Sequence, residues 1–315
     1  MSGNMARANY DTDVREALQA FQDKNGLTLK QLGARLGKNE GFVSKYLNGV
    51  GEGNIAAFEK RVKDMLERES RKRTWESVYF HTDAVEACYT VFDLVREASD
   101  IGLITSEAGI GKSMAVHQYM IEHKTVIGFT AIEGSGSQYD VQRGIASCLD
   151  MRKFNPRSCR LSDYLREKLA GSERLVIIDN AQRIFLSGLR WIMDFHDATG
   201  VSFCLVGNPD VMERLEGRDQ LVSRIGIKKD ITSALGNEKW IDDAADRMVA
   251  AMWPKAASEI AILAHEAARK SGHLRTLNKQ LRIAIRLCET DMYRNRYAKS
   301  FVVARDLIGA GDDED

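Results

Sequence analysis

Strand-like and helix-like segments alternate through the middle of this sequence and predict an α/β fold, a parallel sheet covered by helices. Apolar runs predict strands at 101–106, 125–132, 175–179 and 201–207. The flanking regions have helical spacing alone. We therefore expect three domains: a helical module with its linker at 1–70, an α/β core at 75–233 and a helical lid at 234–310.

The composition is typical of a globular protein. Of the 315 residues, 44% are apolar and 29% are charged. We find neither an apolar run near the ~18 residues of a membrane span nor the apolar stretch of a signal peptide. The five cysteines are scattered, and the six histidines form no cluster with metal-ligand spacing. These features predict a cytoplasmic protein without membrane contact and give no support to a metal hydrolase.

Charge is uneven along the chain although the formal net charge is zero. Residues 1–75 hold 14 Lys or Arg against 10 Asp or Glu, and residues 255–306 hold 11 against 5. Basic ends suggest contact with a polyanion, and solvated helix faces explain the same pattern equally well.

A phosphate-binding loop is predicted between the first strand and the next helix. The segment from Ser106 to Ser113 (SEAGIGKS) matches G-x-x-x-x-G-K-[ST] except that Ser106 replaces the first glycine. Its two glycines let backbone N–H groups face a phosphate, Lys112 can neutralise the β- and γ-phosphates, and Ser113 can bind Mg²⁺. The predicted ATP-binding residues are Glu107, Ala108, Gly109, Ile110, Gly111, Lys112, Ser113 and Met114.

A second acidic motif ends the strand LVIID. Asp179 is expected beside the loop, where it would hold Mg²⁺ together with Ser113. ATPases with this motif usually follow the aspartate with a glutamate that activates the attacking water, and here Asn180 follows. An amide can orient water but cannot take its proton. We therefore expect ATP to bind firmly and hydrolyse slowly, in a naturally slow ATPase or through a substitution that traps the ATP state.

Three further polar residues are candidates for the reaction. Asn208 ends the next strand, where it can contact the γ-phosphate or the water, or simply form a turn before Pro209. The segment LVSRI resembles the one from which AAA+ ATPases send an arginine finger into a neighbouring subunit's site, which would be Arg224 here; Arg218 is a rival and a surface salt bridge is the alternative. The segment GHLR, at the start of a late helix, resembles the second sensor of these ATPases, in which Arg275 would reach the γ-phosphate from the lid; an exposed helix arginine is the alternative.

The N-terminal region predicts a helix, a tight turn and a second helix. Apolar positions at Leu29, Leu32 and Leu36 precede Gly37, and a second helical pattern follows. This layout is typical of a helix-turn-helix that binds double-stranded DNA, and a small bundle that binds protein is the alternative. The exposed polar candidates on the second helix are Lys38, Asn39, Ser44, Lys45 and Asn48.

Five motifs follow the predicted helix-turn-helix in this order: SEAGIGKS, LVIIDNAQRI, LVGN, SRI and GHLRTLNKQLRIA. This order resembles that of the AAA+ target-selection ATPases of transposition, the family of the phage Mu B protein. The resemblance spans about residues 12–305. It implies an AAA+ P-loop fold in which ATP drives assembly into homo-oligomeric filaments or rings on DNA inside a bacterial host cell. The assembly would mark target DNA and activate a transposase, and Asn180 puts its disassembly by hydrolysis in doubt.

The resemblance also places DNA along the inner face of the assembly. A segment with four basic residues and no acid could contact phosphates there, or could be a solvated loop. Its basic residues are Arg152, Lys153, Arg157 and Arg160.

Two other functions remain open from the sequence. A helicase loader would share the ATPase but act on a helicase. A nucleotide-gated DNA-binding regulator with negligible turnover would fit Asn180, and it would bind a specific operator as a dimer.

Overall fold

The computed structural model describes residues 11–50, 53–76, 79–149, 160–232 and 239–309. The chain divides into two compact units, residues 1–78 and 79–315. Within the described ranges, every helix is either too short or too polar to cross a lipid bilayer.

The first unit contains four helices. They are α1 (Thr12–Asn25), α2 (Leu29–Leu36), α3 (Glu40–Leu47) and α4 (Ile55–Glu76). Thr28 caps α2 through a reciprocal capping box with Gln31, and Gly37 ends that helix in the left-handed conformation. The three residues 37–39 then turn the chain from α2 into α3. That this pair is a helix-turn-helix that binds DNA stays a prediction.

Close packing at the turn fixes the two helices of this pair. A Cβ at Gly33 would lie 2.5 Å from the carbonyl oxygen of Lys38, so the turn can approach α2 only over a glycine. Leu32, Val43 and Tyr46 are completely buried in the unit's core. The Tyr46 hydroxyl donates a hydrogen bond to Glu59 of α4, which joins α3 to the long helix.

The second unit begins with an α/β core. Its helices and strands follow in the order α5 (Asp83–Ala98), β1 (Ile101–Thr105), α6 (Lys112–Glu122), β2 (Ile127–Thr130), α7 (Gln138–Ser147), α8 (Leu161–Leu169), β3 (Leu175–Asp179), α9 (Leu186–Thr199), β4 (Ser202–Gly207), α10 (Asp210–Leu215), α11 (Asp219–Val222) and β5 (Ile227–Asp230). A short 3₁₀ turn at Ala181–Arg183 follows β3.

All five strands are parallel, in the order β2-β3-β4-β1-β5. Alternate residues of β3 bury against opposite faces: Ile177 joins the core under α5 and α6, and Ile178 joins the core under α7 and α9. This two-sided burial explains the continuous apolar run in β3, and it confirms the predicted α/β fold class.

One strand was missed by the sequence analysis. The segment IKKD forms β5, which pairs with β1 at an edge of the sheet. Lys228 and Lys229 are exposed there. An edge strand with exposed polar side chains lacks the apolar run by which the other four strands were predicted.

Helices alone form the end of the described chain. They are α12 (Lys239–Met252), α13 (Ala257–Arg269), α14 (His273–Cys288) and α15 (Tyr297–Leu307). These helices share one apolar core, in which Leu277, Leu281 and Phe301 are almost completely buried. The predicted division into core and lid at residue 233 falls beside residues 233–238, which lie outside the described ranges, and it stays a prediction.

Candidate nucleotide-binding site

The predicted phosphate-binding loop connects β1 to α6 at the carboxyl edge of the sheet. Gly109 and Gly111 have φ angles of 97° and 114°, which glycine adopts without the strain that other residues would suffer. Because α6 begins at Lys112, directly after Gly111, the unpaired N–H groups of its first turn border the loop. A helix N-terminus behind a glycine-rich loop is suited to bind phosphate.

Ser106, in place of the usual glycine, contacts the side chain of Lys112. Lys112 Nζ donates to Ser106 Oγ at 2.7 Å and to the carbonyl oxygens of Ser106 and Glu107, each at 2.8 Å. Burial lowers the pKa of the Lys112 ammonium to about 8, because the charged form loses hydration. The lysine is thus a partly desolvated cation held in the loop by neutral oxygens.

The end of β3 supplies an acid and an amide. Asp179 is buried, with 4% of its surface exposed, and its Oδ1 accepts a hydrogen bond of 2.9 Å from the Asn180 backbone N–H. Asn180 takes the left-handed conformation with φ of 56°, which Asn tolerates better than most residues. This turn brings Asn180 to a cavity wall and leaves Asp179 behind it.

Asn208, after β4, places an unsatisfied acceptor at the same edge. Its Nδ2 donates to Asp210 at 2.9 Å, and its backbone N–H donates to Gln182 Oε1 at 3.4 Å. Its Oδ1 is buried without a hydrogen-bond partner. A buried acceptor of this kind costs free energy until a donor reaches it, so the position suits a water or a ligand hydrogen.

Helix α14 forms the opposite wall. Arg275, Asn278, Lys279 and Arg282 all line the cavity. Their spacing of three and four residues puts them on one helix face. Arg275 is exposed and also lines the cavity, so its predicted contact with the γ-phosphate stays a prediction.

The cavity between these walls has a volume of about 540 Å³. Apolar side chains line part of it: Phe80, Val85, Ile110, Met114, Met248 and Leu274. Its basic side chains are Lys112, Arg183, Arg275, Lys279 and Arg282. Among the described residues, its lining includes no carboxylate. A cavity with an apolar part and five cations fits a ligand that joins an aromatic base to a polyphosphate.

Most of the predicted nucleotide residues line this cavity. Those that do are Ala108, Gly109, Ile110, Gly111, Lys112, Ser113, Met114, Asn180, Asn208 and Arg275. Glu107 does not: its backbone N–H donates to Thr232 Oγ at 3.0 Å and its carboxylate turns to His273. The contribution of Glu107 to the phosphate cradle stays a prediction.

Arg224 lies away from the cavity of its own subunit. Its guanidinium contacts Asp194 at 2.8 Å and Asp197 at 3.4 Å, both on α9. Thus the surface salt bridge weighed as an alternative is present in the single chain. Arg218, the rival, donates to the carbonyl oxygens of Arg214 and Glu216 at the end of α10. That contact gives Arg218 a helix-capping role.

The predicted DNA-binding residues of the first unit divide into two groups. Lys38 and Lys45 are exposed, and the Lys38 ammonium lies 4.7 Å from the centre of the Phe42 ring. Asn39 and Asn48 instead cap the two ends of α3, and Ser44 is half-buried. Capping of α3 accounts for the presence of the two asparagines without any contact to DNA.

The predicted basic segment is only partly described. Arg152, Lys153 and Arg157 lie outside the described residues. Arg160 is exposed and directly precedes α8. Its role stays a prediction.

The cavity residues that the sequence analysis missed include five polar ones. Asn278, Lys279 and Arg282 could have been found, because they recur at helical spacing from Arg275. Gln182 and its neighbour Arg183 gave no such signal, since they reach the wall through the 3₁₀ turn after Asn180.

Comparison with known proteins agrees with this architecture. Residues 95–215 match a family model described as an AAA domain. The chain is 25% identical over 283 residues to the ATP-dependent target DNA activator B of Escherichia phage Mu, covering 87% of this chain and 88% of that protein. The chain is similar to the Mu B proteins over most of its length. The predicted resemblance is confirmed.

A second curated protein and a solved structure are also similar to parts of the chain. The chain is 26% identical over 209 residues to the Mu-like prophage FluMu DNA transposition protein B of Haemophilus influenzae, covering 65% of this chain and 72% of that protein. Among solved structures, the Thermotoga maritima RuvB Holliday junction branch migration motor matches with a TM-score of 0.46 and 17% identity, over 74% of this chain and 72% of that chain.

Proposed function

We propose that this protein is an ATP-dependent DNA-binding protein of transposition. It binds ATP, assembles in many copies on double-stranded DNA, marks that DNA as the target and activates a transposase in the cytoplasm of a bacterial host. The observation that carries the proposal is the cationic cavity between the phosphate-binding loop and α14, in a chain similar to target DNA activators.

The cavity supports ATP as its ligand. Lys112 and the N-terminal turn of α6 would bind the phosphates, and Arg275 would meet their outer end from α14. Ser113, which lines the cavity, and Asp179, buried at the end of β3, would hold Mg²⁺. Magnesium would neutralise charge on the phosphates.

Slow hydrolysis follows from the same lining. Asn180 stands where a general base is expected, and the other described lining residues include no carboxylate that could replace it. Asn180 and Asn208 can orient a water through their amides. We therefore expect ATP to be held for a long time, which suits a protein whose ATP state is the DNA-bound state.

Assembly would bring an arginine of a neighbouring copy to the phosphates of ATP. Arg224 is exposed and lies outside the cavity of its own subunit, so it is available to a neighbouring copy after leaving Asp194 and Asp197. An arginine supplied in trans stabilises charge on the phosphates and makes the ATP site depend on the oligomer. Filaments or rings are the assemblies that such head-to-tail contacts generate.

DNA contact by the first unit rests on α2 and α3. Lys38 and Lys45 are exposed on or beside α3, the helix that would enter the major groove. Lysines that contact phosphate give binding that tolerates sequence and weakens with salt. This behaviour suits a protein that must accept many target sites.

The test is electron microscopy of the full chain on nonspecific duplex DNA, with and without ATP. ATP-dependent filaments are the expected result, and Lys112→Ala should abolish them. His265→Gln, which removes a side-chain contact with Asp246 outside the cavity lining, is the matched control and should leave them intact. Binding that is indifferent to ATP would overturn the proposal.

A nucleotide-gated regulator is the second candidate, favoured by the carboxylate-free cavity. It predicts discrete dimers on one operator sequence. Footprinting on random and selected DNA separates the two functions, because the regulator protects one site and the target activator protects DNA uniformly.

A further inference from the structure

The loop and helix α14 touch directly at two places. The backbone of Gly272 lies so close to Gly109 that a Cβ at Gly109 would overlap the Gly272 carbonyl oxygen. Beside this contact, His273 Nε2 lies 2.7 Å from Glu107 Oε2. Both contacts join the phosphate-binding loop to the start of α14, and Glu107 and His273 are 166 residues apart in the sequence.

The hydrogen bonds of His273 fix the orientation of its ring. Its Nδ1 lies 3.0 Å from the carbonyl oxygen of Ala268, and its Nε2 faces the Glu107 carboxylate. Both neighbours are acceptors, so a hydrogen on either ring nitrogen has a partner. The histidine side chain is 16% exposed and the glutamate side chain 59% exposed, so the pair lies at the rim of the site.

The backbone at this point is unusual. Gly272 and His273 both have left-handed φ angles, 83° and 43°. A left-handed histidine costs free energy and persists only where its surroundings hold it. Here the ring contacts to Ala268 and Glu107 supply that restraint.

Arg275 follows two residues later, and its backbone N–H donates to the Gly272 carbonyl at 3.0 Å. The turn that His273 anchors is therefore the turn that carries Arg275 to the cavity. On the loop side, the Glu107 N–H is bound to Thr232 Oγ, beyond β5. Glu107 thus ties the loop, the end of the sheet and α14 together.

We propose that Glu107 and His273 form a positioning pair that couples the phosphate-binding loop to α14 and sets Arg275 at the phosphate end of the cavity. Neither side chain needs to touch the nucleotide. The effect on ATP rests on the proposed function, whereas the coupling itself belongs to the protein without nucleotide.

The experiment uses four full-length proteins: wild type, Glu107→Gln, His273→Asn and the double variant. Asn tolerates the left-handed conformation, so His273→Asn removes the ring contact and keeps the backbone. Amide hydrogen exchange without nucleotide should rise at both 106–111 and 271–276 in each single variant. Exchange confined to the substituted segment would overturn the coupling.

The second readout is the ATP dissociation constant. Each single variant should bind ATP about threefold to tenfold more weakly, and the double variant should be no worse than either one, because both remove one interaction. His265→Gln is the matched control and should match wild type. Additive losses of ATP affinity in the double variant would contradict the proposal that Glu107 and His273 act as a pair. If wild type itself binds no ATP, the proposed function fails while hydrogen exchange still decides the coupling.

Discussion

Ser106 Oγ accepts a hydrogen bond of 2.7 Å from Lys112 Nζ. The residue that departs from the phosphate-binding pattern thus holds the lysine on which that pattern depends. Any phosphate that enters the loop must compete with this hydroxyl for the ammonium.

Ser106→Ala should therefore tighten ATP binding. Removing the hydroxyl takes away a competing acceptor of Lys112, and a net hydrogen bond contributes about 1 kcal/mol, or roughly fivefold in affinity. Isothermal titration calorimetry measures the change. Ser147→Ala, which removes an exposed hydroxyl on α7 away from the cavity, is the control, and unchanged or weaker ATP binding by Ser106→Ala would contradict the prediction.

The pKa of Lys112 predicts a pH dependence. Burial lowers that pKa to about 8, so the ammonium is charged below pH 8 and neutral above it. ATP affinity should fall as pH rises through 8. At pH 8.5, ATP binding should be accompanied by proton uptake at Lys112, because the phosphates favour the charged form of the lysine. Calorimetry in two buffers of different ionisation enthalpy detects that uptake, and equal heats in both would rule it out.

The same lowered pKa predicts that folding stability rises with pH, whereas ATP affinity falls. The pKa of Lys112 is about 8 in the folded protein and 10.5 as the ordinary value expected of the unfolded chain. Between these values the unfolded chain binds more protons, so the Lys112 contribution to folding stability should rise with pH. Urea unfolding of wild type and Lys112→Met from pH 7.5 to 10 measures it. Lys112→Met should lack this rise in the free energy of unfolding with pH.

Asn180→Glu should accelerate ATP hydrolysis. A carboxylate at this wall can accept the proton of the attacking water, and a general base typically contributes about 10²- to 10⁴-fold. Phosphate release over a single turnover measures the rate. Asn180→Gln carries the same left-handed strain without a base, so a rate equal to that of the glutamate variant would contradict the reasoning.

Arg224→Ala should separate ATP binding from assembly. Arg224 contacts Asp194 and Asp197 and does not line its own cavity, so the monomer's ATP affinity should stay within about twofold. Filament formation and DNA-stimulated turnover should be lost. Arg218→Ala is the control: it loses helix-capping contacts, and it should lower the free energy of unfolding without preventing assembly. Normal filaments from Arg224→Ala would exclude the finger role.

Lys45→Ala should reduce the salt dependence of DNA binding. An exposed lysine that contacts a phosphate releases counterions, so its loss should lower the slope of log affinity against log salt by about 0.9. Fluorescence anisotropy over a salt series measures the slope. Lys63, which pairs with Asp11 in the same unit, provides the control. An unchanged slope in Lys45→Ala would remove this residue from the interface.

Local signals predicted much of the fold and the cavity. The apolar run of β3 and the motif from Ser106 to Ser113 placed Asp179 and Lys112 at one sheet edge, because parallel strands end together. β5 escaped prediction because an edge strand needs no apolar run. The contact between Glu107 and His273 could not be predicted from local signals, because the two residues are 166 positions apart in the sequence.

The lysines of β5 affect whether this edge of the sheet can pair with another molecule. An open strand edge can pair with the edge of another molecule, and charged side chains discourage that pairing. Lys228 and Lys229 put two like charges on such an edge. In the proposed assembly on DNA, these charges would discourage neighbouring copies from pairing through their sheet edges, so the chains could separate again.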